Sequence, residues 1–388
     1  MTRLTAPFLD DPALKQVLAA LSAEGAQALI VGGAVRNALL GEPVADVDIA
    51  TSARPGETLR LAETAGLRTV PTGIDHGTIT VIAGGRGFEV TSFRRDVETF
   101  GRRAVVAYSD RIEEDAQRRD FTMNAIYATS TGEVLDPVGG LEDLARRRLR
   151  FVGDPHDRIS EDYLRILRFF RFLAWYGREA ELQAVAACGE LREGLARISR
   201  ERIGYEIRRL LNAPDPSPSV ALMTETGVLT QVLPGADASD LPELVEAEHE
   251  YGTGALTAWP RRLALLAPPD AAEALRLSRD ETRTQDQIAQ ALTMPAPVAA
   301  YHFGRAVAAQ SVLIRAARGE TPPFGWCHRL ARGAEAKFPL TARDLMPQLS
   351  GPALGQALRR AEAAYIDSDF TLPREALLQI ALQPEAGS

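Results

Sequence analysis

The sequence predicts an α+β protein in which a small mixed β-sheet with helices is followed by a longer, all-helical region. Short apolar or alternating segments punctuated by glycine, which are typical of strands, fall within residues 27–94. After a turn at residues 136–140, apolar residues recur at helical spacing towards the C-terminus and are interrupted by proline-containing turns. With 388 residues and 45% hydrophobic content, the chain can form more than one domain.

The elements of the N-terminal sheet can be placed in order. Residues 10–24 carry leucine and valine at helical spacing after aspartate caps, which predicts an amphipathic helix. The apolar run 28–31 predicts a strand, and three short strands are expected within 67–94. Residues 94–119 are polar and rich in arginine, so we predict a loop that orders only on substrate binding.

A Gly-Gly turn follows the first predicted strand. Gly32 and Gly33 allow the backbone to approach a phosphate, while the next helix directs its free N–H groups towards the anion. Arg36, in the first helical turn, can add a guanidinium. Taken alone, glycines at such a position are often plain turn residues.

Two aspartates separated by one residue follow this helix. In a β-strand, Asp46 and Asp48 project on the same side, roughly 6–7 Å apart. Two carboxylates held side by side repel each other unless a cation lies between them, and hard oxygen ligands suit Mg²⁺. The pair therefore predicts a two-metal phosphoryl-transfer site, although an isolated D-x-D is more often a solvated strand end.

Further polar residues lie in two later segments. Glu89 alternates with apolar neighbours in a predicted strand and can supply a third carboxylate, or it is an exposed edge glutamate. In residues 118–128, apolar positions can be buried while several side chains project polar groups. These polar residues are Arg118, Arg119, Asp120 and Asn124.

Charge and cysteine content restrict the class of protein. The net charge of −8 argues against a histone-like polyanion binder. All but two of the 44 basic residues are arginine, which reflects genome composition as readily as phosphate binding. Cys188 and Cys327 lie far apart, so neither a disulfide framework nor a zinc site is indicated. With no export signal and no uncharged apolar run of 18 residues, we expect a soluble cytoplasmic protein without a membrane partner.

Four stretches, taken together, resemble one known family. They are GGAVRNALLG with DVD, FEVTSFR, RRDFTMNA and RISEDYLRILRFFRF. In this order they closely resemble the bacterial class II CCA-adding tRNA nucleotidyltransferases and poly(A) polymerases. The resemblance implies a nucleotidyltransferase head of the polymerase-β type at 1–140, a helical neck at 141–212, and a tRNA-binding body and tail at 213–388.

The resemblance also implies roles for individual residues in the head. It assigns Asp46 and Asp48 to catalytic Mg²⁺ and Glu89 to the accompanying acidic position. Triphosphate binding is implied for Gly32, Gly33 and Arg36. Contacts to sugar and phosphates are implied for Arg119, Asp120 and Asn124, with Asp120 the ribose-selecting group.

The resemblance places nucleobase choice in SEDYLRILR. Asp162 and Arg165 are three residues apart and are predicted to share one helix face, where they can mimic a Watson–Crick edge. A carboxylate accepts from an exocyclic amine and a guanidinium donates to ring acceptors, which selects cytosine and adenine over uracil and guanine. Arg168 can support the phosphate or the pair. Ordinary salt bridging, from Glu161 or Asp162 to Arg165, fits the same spacing.

The function implied is template-independent addition of CCA to the tRNA 3′ end from CTP and ATP, with release of pyrophosphate and no protein partner. A poly(A) polymerase or an A-only enzyme of the same family is the alternative. A non-catalytic RNA-binding protein with a decayed nucleotidyltransferase domain is a further one. The chain departs from the family in carrying Asn37 where aspartate is usual, and Asn37 is therefore left out of the predicted site. The FGRR loop is present, but its tip departs from the common form, so no individual roles are assigned there.

Overall fold

The architecture was analysed in a computed structural model that describes residues 2–100, 103–252, 256–266, 270–346 and 348–383. The chain divides into two compact units, residues 1–232 and 233–388. The predicted head and neck both fall within the first unit. The three-part division into head, neck and body with tail stays a prediction.

The described part of the first unit contains these strands: β1 (Ala28–Val31), β2 (Asp48–Thr51), β3 (Arg68–Gly73), β4 (Thr78–Ala83), β5 (Arg86–Ser92), β6 (Arg94–Phe100), β7 (Arg103–Tyr108), β8 (Tyr127–Ala128), β9 (Val134–Leu135), β10 (Arg148–Leu149) and β11 (Glu179–Ala180). Seven of them form one sheet in the order β3-β4-β5-β2-β1-β8-β9. Only β2 and β5 pair in parallel within this sheet, so it is mixed, as predicted.

Burial follows the sequence pattern of these strands. All four residues of β1 are buried, as expected of a central strand with an apolar run, whereas β4 alternates between buried and half-buried residues. Strand β2 begins at Asp48, so the prediction that Asp46 lies on the same strand is wrong. Asp46 lies in the preceding connection because Pro43 and the residues after it do not pair with a neighbouring strand.

The prediction that the arginine-rich segment 94–119 is a loop is wrong. Strands β6 and β7 pair in an antiparallel hairpin, because the apolar run at residues 104–107 contains the β-branched Val105 and Val106, which favour strands. A helix follows at Ile112–Gln117. Residues 101 and 102 of the predicted FGRR loop lie outside the described residues.

The helices of the first unit are α1 (Pro12–Ser22), α2 (Gly33–Leu40), α3 (Pro55–Thr64), α4 (Ile112–Gln117), α5 (Gly140–Ala145), α6 (Pro155–Glu161), α7 (Leu164–Tyr176), α8 (Leu182–Glu190), α9 (Arg200–Leu211), α10 (Ser217–Glu225) and α11 (Val228–Val232). Helix α1 is capped by Asp11, which accepts a hydrogen bond from the Ala13 N–H at 3.0 Å. Helix α7 packs against the segment after α4 through tilted aromatic rings, with 5.2 Å between the centroids of Phe121 and Phe172 and 6.2 Å between those of Phe121 and Phe169.

Two predictions about residues 141–211 are wrong in detail. Strands β10 and β11 form a short parallel pair, so this region is not purely helical. The segment SEDYLRILR is not one continuous helix, because α6 ends at Glu161 and Asp162 has extended backbone angles before α7 begins at Leu164. Asp162 and Arg165 therefore do not share one helix face.

The described part of the second unit is all helical, as predicted. Its helices are α12 (Leu241–Tyr251), α13 (Trp259–Leu266), α14 (Ala271–Ala274), α15 (Arg279–Ala291), α16 (Ala296–Phe303), α17 (Arg305–Ala317), α18 (Trp326–Glu335), α19 (Ala342–Leu345), α20 (Gly351–Asp367) and α21 (Arg374–Leu382). Its C-terminal helices bury a cluster that includes Leu345, Ala361 and Leu377. Within the part of the chain that the structure describes, none of the helices has the length and apolar character needed to cross a membrane.

Candidate functional site

Three acidic residues line one cleft at strands β2 and β5. Ile49 is paired with Val90 in parallel register and both are buried, so the preceding residues, Asp48 and Glu89, are neighbours on the opposite face of the sheet. Both are exposed. Asp46 lines the same cleft of about 620 Å³. The tertiary structure thus brings together the three carboxylates singled out in the sequence.

The charges in this cleft affect one another. The pKa of Asp48 is raised, first because the surrounding protein partly shields its carboxyl from water and then by the negative charge of Glu89. The positive charge of Arg119 opposes this rise, and Asp46 adds to it. A cation placed among these carboxylates would relieve their repulsion.

The donor set fits a hard divalent cation whose coordination is completed by other groups. Among the described residues, no three His, Cys, Asp or Glu side chains form a ready-made metal cluster. Asp46 and Asp48 offer only carboxylate oxygens, and a small hard cation usually keeps waters and takes further ligands from substrate phosphates. The pair therefore fits a metal that binds together with a nucleotide.

The Gly-Gly turn lies beside an arginine of the same site. Gly32 has φ 70° and ψ −123°, a conformation that favours glycine, and it links β1 to α2. A Cβ added to Gly32 would lie 3.7 Å from Nη1 of Arg119. The Arg119 guanidinium is held by the Asp115 carboxylate, with Nη2 2.9 Å from Oδ2, and by the Tyr127 hydroxyl, 3.0 Å from Nε. Burial alone would raise the pKa of Asp115, but the charges of its two arginine partners lower it overall.

Arg36 does not face the cleft in this structure. It is only 6% exposed, and burial lowers the pKa of its guanidinium. Its Nε and Nη2 donate to Oδ1 of Asn37 at 3.1 and 2.8 Å, and its Nη1 donates to Oδ1 of Asn124. Its Cζ lies 3.9 Å from the ring centroid of Tyr176. The donors of Arg36 are thus directed into the protein.

Asp120 is similarly engaged within the protein. Its Oδ1 accepts from the backbone N–H of Phe121 at 2.9 Å and from Nδ2 of Asn124 at 3.0 Å. Its Oδ2 accepts from Nε of Arg168 at 3.0 Å and from Nη2 of the same guanidinium. Burial alone would raise the pKa of Asp120, but the charge of Arg168 and the hydrogen bond from Asn124 lower it well below the usual range. Asp120 therefore joins the RRDFTMNA segment to helix α7.

The two residues assigned to nucleobase choice are each paired with a different neighbour. Asp162 accepts from Nη2 of Arg202 at 2.6 Å and from the backbone N–H two residues further on at 3.1 Å. Arg165 forms an ion pair with Glu161 and donates through Nη1 to the backbone carbonyl of Arg158 at 2.7 Å. The alternative pairing of Glu161 with Arg165, open from the sequence, is thus present in this structure.

Sequence reasoning missed several residues that hold the site. Arg202 lies in helix α9 and Tyr176 at the end of α7, and neither gave a signal in the sequence, whereas Asp115 lies at helical spacing from its partners Arg118 and Arg119. The partners of Arg202 and Tyr176 are distant in sequence, 40 residues for the pair of Arg202 and Asp162. Spacing along one helix cannot indicate such contacts.

Comparison with known families identifies two matching regions. Residues 28–150 match the family model described as the poly A polymerase head domain. Residues 181–239 match the model described as a probable RNA and SrmB-binding site of polymerase A. The first of these regions contains all three cleft carboxylates.

Similarity to whole proteins extends over nearly the full chain. The CCA-adding enzyme of Streptococcus gordonii is 34% identical over 381 residues, which cover 93% of this chain and 94% of the relative. That of Lacticaseibacillus paracasei is 33% identical over 395 residues, with 98% of each chain covered. Among solved structures, the Bacillus stearothermophilus CCA-adding enzyme in complex with CTP has a TM-score of 0.76 and 30% identity, covering 95% of this chain and 97% of that one.

Proposed function

We propose a function from one premise: this chain belongs to the family of CCA-adding enzymes. It adds C and A nucleotides to the 3′ end of tRNA, without a template, from CTP and ATP and with release of pyrophosphate. The observation that carries this proposal is the convergence of Asp46, Asp48 and Glu89 in one cleft beside Arg119. The cytoplasmic location stays a prediction.

Membership of this family implies use of a divalent metal, and we take the metal to be Mg²⁺. Asp46 and Asp48 would hold it, with Glu89 as the accompanying acidic group. When bound, such an ion neutralises charge between an RNA 3′-hydroxyl and the α-phosphate and makes the hydroxyl a better nucleophile. The chain contributes a rigid pair of neighbouring strands, which keeps Asp48 and Glu89 in fixed register.

The triphosphate would bind at the Gly-Gly turn. The N–H groups at the start of α2 can donate to phosphate oxygens, and Gly32 and Gly33 carry no side chain that would block the approach. Arg119 adds a guanidinium beside the turn. Because Arg36 and Asp120 are engaged with protein partners, we assign them, together with Asn124, a positioning role in place of a direct contact to nucleotide.

Nucleobase choice would be made by Asp162 and Arg165. An ionised carboxylate only accepts hydrogen bonds and a guanidinium only donates, which suits the amino group and ring nitrogen of cytosine and of adenine. Arg202 and Glu161 hold these two side chains while no base is bound. Arg168 fixes helix α7 to Asp120 and so to the head. We further propose that residues 213–388 form the tRNA-binding body and tail.

The alternatives differ in product or in chemistry. A poly(A) polymerase or an A-only enzyme would share the head, since the matching head model carries the poly(A) polymerase name. A decayed, non-catalytic RNA-binding protein would be expected to have lost a metal carboxylate. Full-length similarity to CCA-adding enzymes favours CCA addition over both.

The decisive experiment uses three tRNA transcripts: one that lacks CCA, one that ends in CC, and one that is complete. Each is incubated with the purified protein, Mg²⁺ and one nucleoside triphosphate at a time. We expect two C additions to the first transcript from CTP, one A addition to the second from ATP, and none to the third. Addition of A alone, to any RNA, would contradict CCA addition, and no addition at all would favour the RNA-binding alternative.

A further inference from the structure

Asn37, the residue at which this chain departs from the family, makes hydrogen bonds through both ends of its side-chain amide. Asn37 lies in helix α2, and its amide bridges two groups. Oδ1 accepts both hydrogen bonds from Arg36, while Nδ2 donates to the backbone carbonyl of Pro43 at 2.7 Å. A carboxylate at this position could accept from Arg36 but could not donate to Pro43.

The bond to Pro43 fixes the connection that carries Asp46. Helix α2 ends in a Schellman turn, with Gly41 at φ 72° and the Glu42 N–H 2.8 Å from the Asn37 carbonyl oxygen. Residues 41–47 then run in irregular backbone to β2. Asn37 thus makes two hydrogen bonds to this connection, one through its backbone carbonyl and one through its side-chain amide.

Packing supports this connection only weakly. A cavity of about 360 Å³ lies between its first half and residues 5–8. The catalytic cleft of about 620 Å³ borders Val44, Ala45 and Asp46. A segment with space on two sides relies on its few hydrogen bonds for a defined position.

We infer that Asn37 is a positioning residue that holds residues 41–47, and with them Asp46, where a metal-bound nucleotide needs its ligand. The Asn37 amide is also linked through Arg36 and Asn124 to Asp120 and helix α7. The Asn37 side chain therefore connects residues 41–47, which include Asp46, with the neck. This inference rests on the proposed function, because it takes Asp46 to be a metal ligand.

The test compares Asn37→Asp, which keeps the acceptor for Arg36 and loses the donor to Pro43, with Asn37→Ala, which loses both. Gln16→Glu adds the same charge as the first variant at an exposed position of helix α1, outside the proposed tRNA-binding region, and serves as the control. Binding of Mn²⁺ in the presence of CTP, without tRNA, is measured by electron paramagnetic resonance. The Mg²⁺ concentration that gives half-maximal C addition is measured in parallel, together with the KM for CTP and the melting temperature.

For Asn37→Asp we expect Mn²⁺ affinity to fall, and the half-maximal Mg²⁺ concentration to rise, by roughly two- to fivefold. This is the size of effect expected from the loss of one exposed hydrogen bond. The KM for CTP at saturating metal should stay unchanged, and Gln16→Glu should behave like the parent. Asn37→Ala should show at least the same shift and, in addition, a lower melting temperature.

Unchanged Mn²⁺ affinity in Asn37→Asp, or an equal change in Gln16→Glu, would overturn the inference. If Asn37→Ala does not fold, Asn37→Asp still decides the question, because it retains the partner of the buried Arg36. If the parent protein binds Mn²⁺ but adds no nucleotide to tRNA, the proposed function fails, and the Mn²⁺ measurement still tests the role of Asn37.

Discussion

The cleft that we propose as the catalytic site and the region that we propose to select the base differ in how their charges are arranged. In the cleft, Asp48 and Glu89 are exposed on adjacent strands and the pKa of Asp48 is raised. In the region around α6 and α7, Asp162 is paired with Arg202 and Arg165 with Glu161. The cleft brings carboxylates close together, whereas each of the two charged side chains near α6 and α7 has a partner of opposite charge.

This difference fits the ligand that we propose for each region. A cleft of like charges is completed by the metal and the triphosphate, and its repulsion favours binding of a cation. A base carries no net charge, so its recognition depends on donors and acceptors that already have fixed directions. On this proposal, the cleft stays open and the base-selecting side chains are held in place before the nucleotide arrives.

The largest expected effect comes from removing a cleft carboxylate. Asp48→Ala should lower nucleotide addition by at least about 10³-fold, because metal-dependent charge stabilisation is lost. Its free energy of unfolding should be unchanged or higher, since the variant relieves repulsion with Glu89. Addition to tRNA that lacks CCA and thermal melting test both points. Glu63→Ala, at an exposed position of α3, is the control, and an Asp48 variant that stays active would disprove the metal assignment.

The next effect concerns the joint between the two regions. Asp120→Asn should lower the free energy of unfolding by about 2 kcal/mol, because the half-buried guanidinium of Arg168 loses the nearer of its two acidic partners. Since folding lowers the pKa of Asp120, this carboxylate stabilises the fold above the unfolded pKa, about 4, and its contribution declines as the pH falls below that value.

Chemical denaturation between pH 7 and pH 3 measures this contribution. The gap in stability between the parent and Asp120→Asn should narrow as the pH decreases. A gap that is independent of pH would show that the charge of Asp120 is not what joins the segment to α7.

A smaller effect is expected in the base-selecting region. Arg165→Ala should reduce the preference for CTP over UTP by about tenfold, because the fixed donor to the base is lost. The fold should persist, since Arg158 still pairs with Glu161, with Nη1 2.7 Å from Oε1. Competition between CTP and UTP in a single reaction gives the ratio directly.

Arg165→Lys provides the matched comparison, because it keeps the charge but not the planar fork. We expect its selectivity to lie between those of the parent and Arg165→Ala. An equal rise in KM for every nucleotide, with unchanged selectivity, would instead indicate a general phosphate contact.

Some of the predictions made from the sequence were more accurate than others. The mixed sheet, the helix after Asp11 and the all-helical second unit depend on local periodicity, and the structure confirms all three. The hairpin of β6 and β7 was missed because its charged residues hide a strand pattern. The break at Asp162 was missed because the surrounding spacing is helical on both sides.

By itself, then, the sequence determined the fold class, the family and the identity of the acidic residues, since these follow from patterns and motifs within short segments. Only the tertiary structure decided which side chains meet. It placed Arg36 and Asp120, which the sequence predicts to contact the nucleotide, in a hydrogen-bond network within the protein, and it showed that Arg202 contacts Asp162 and Tyr176 contacts Arg36. Such contacts join distant segments, and their geometry is set by packing between elements, which no local spacing records.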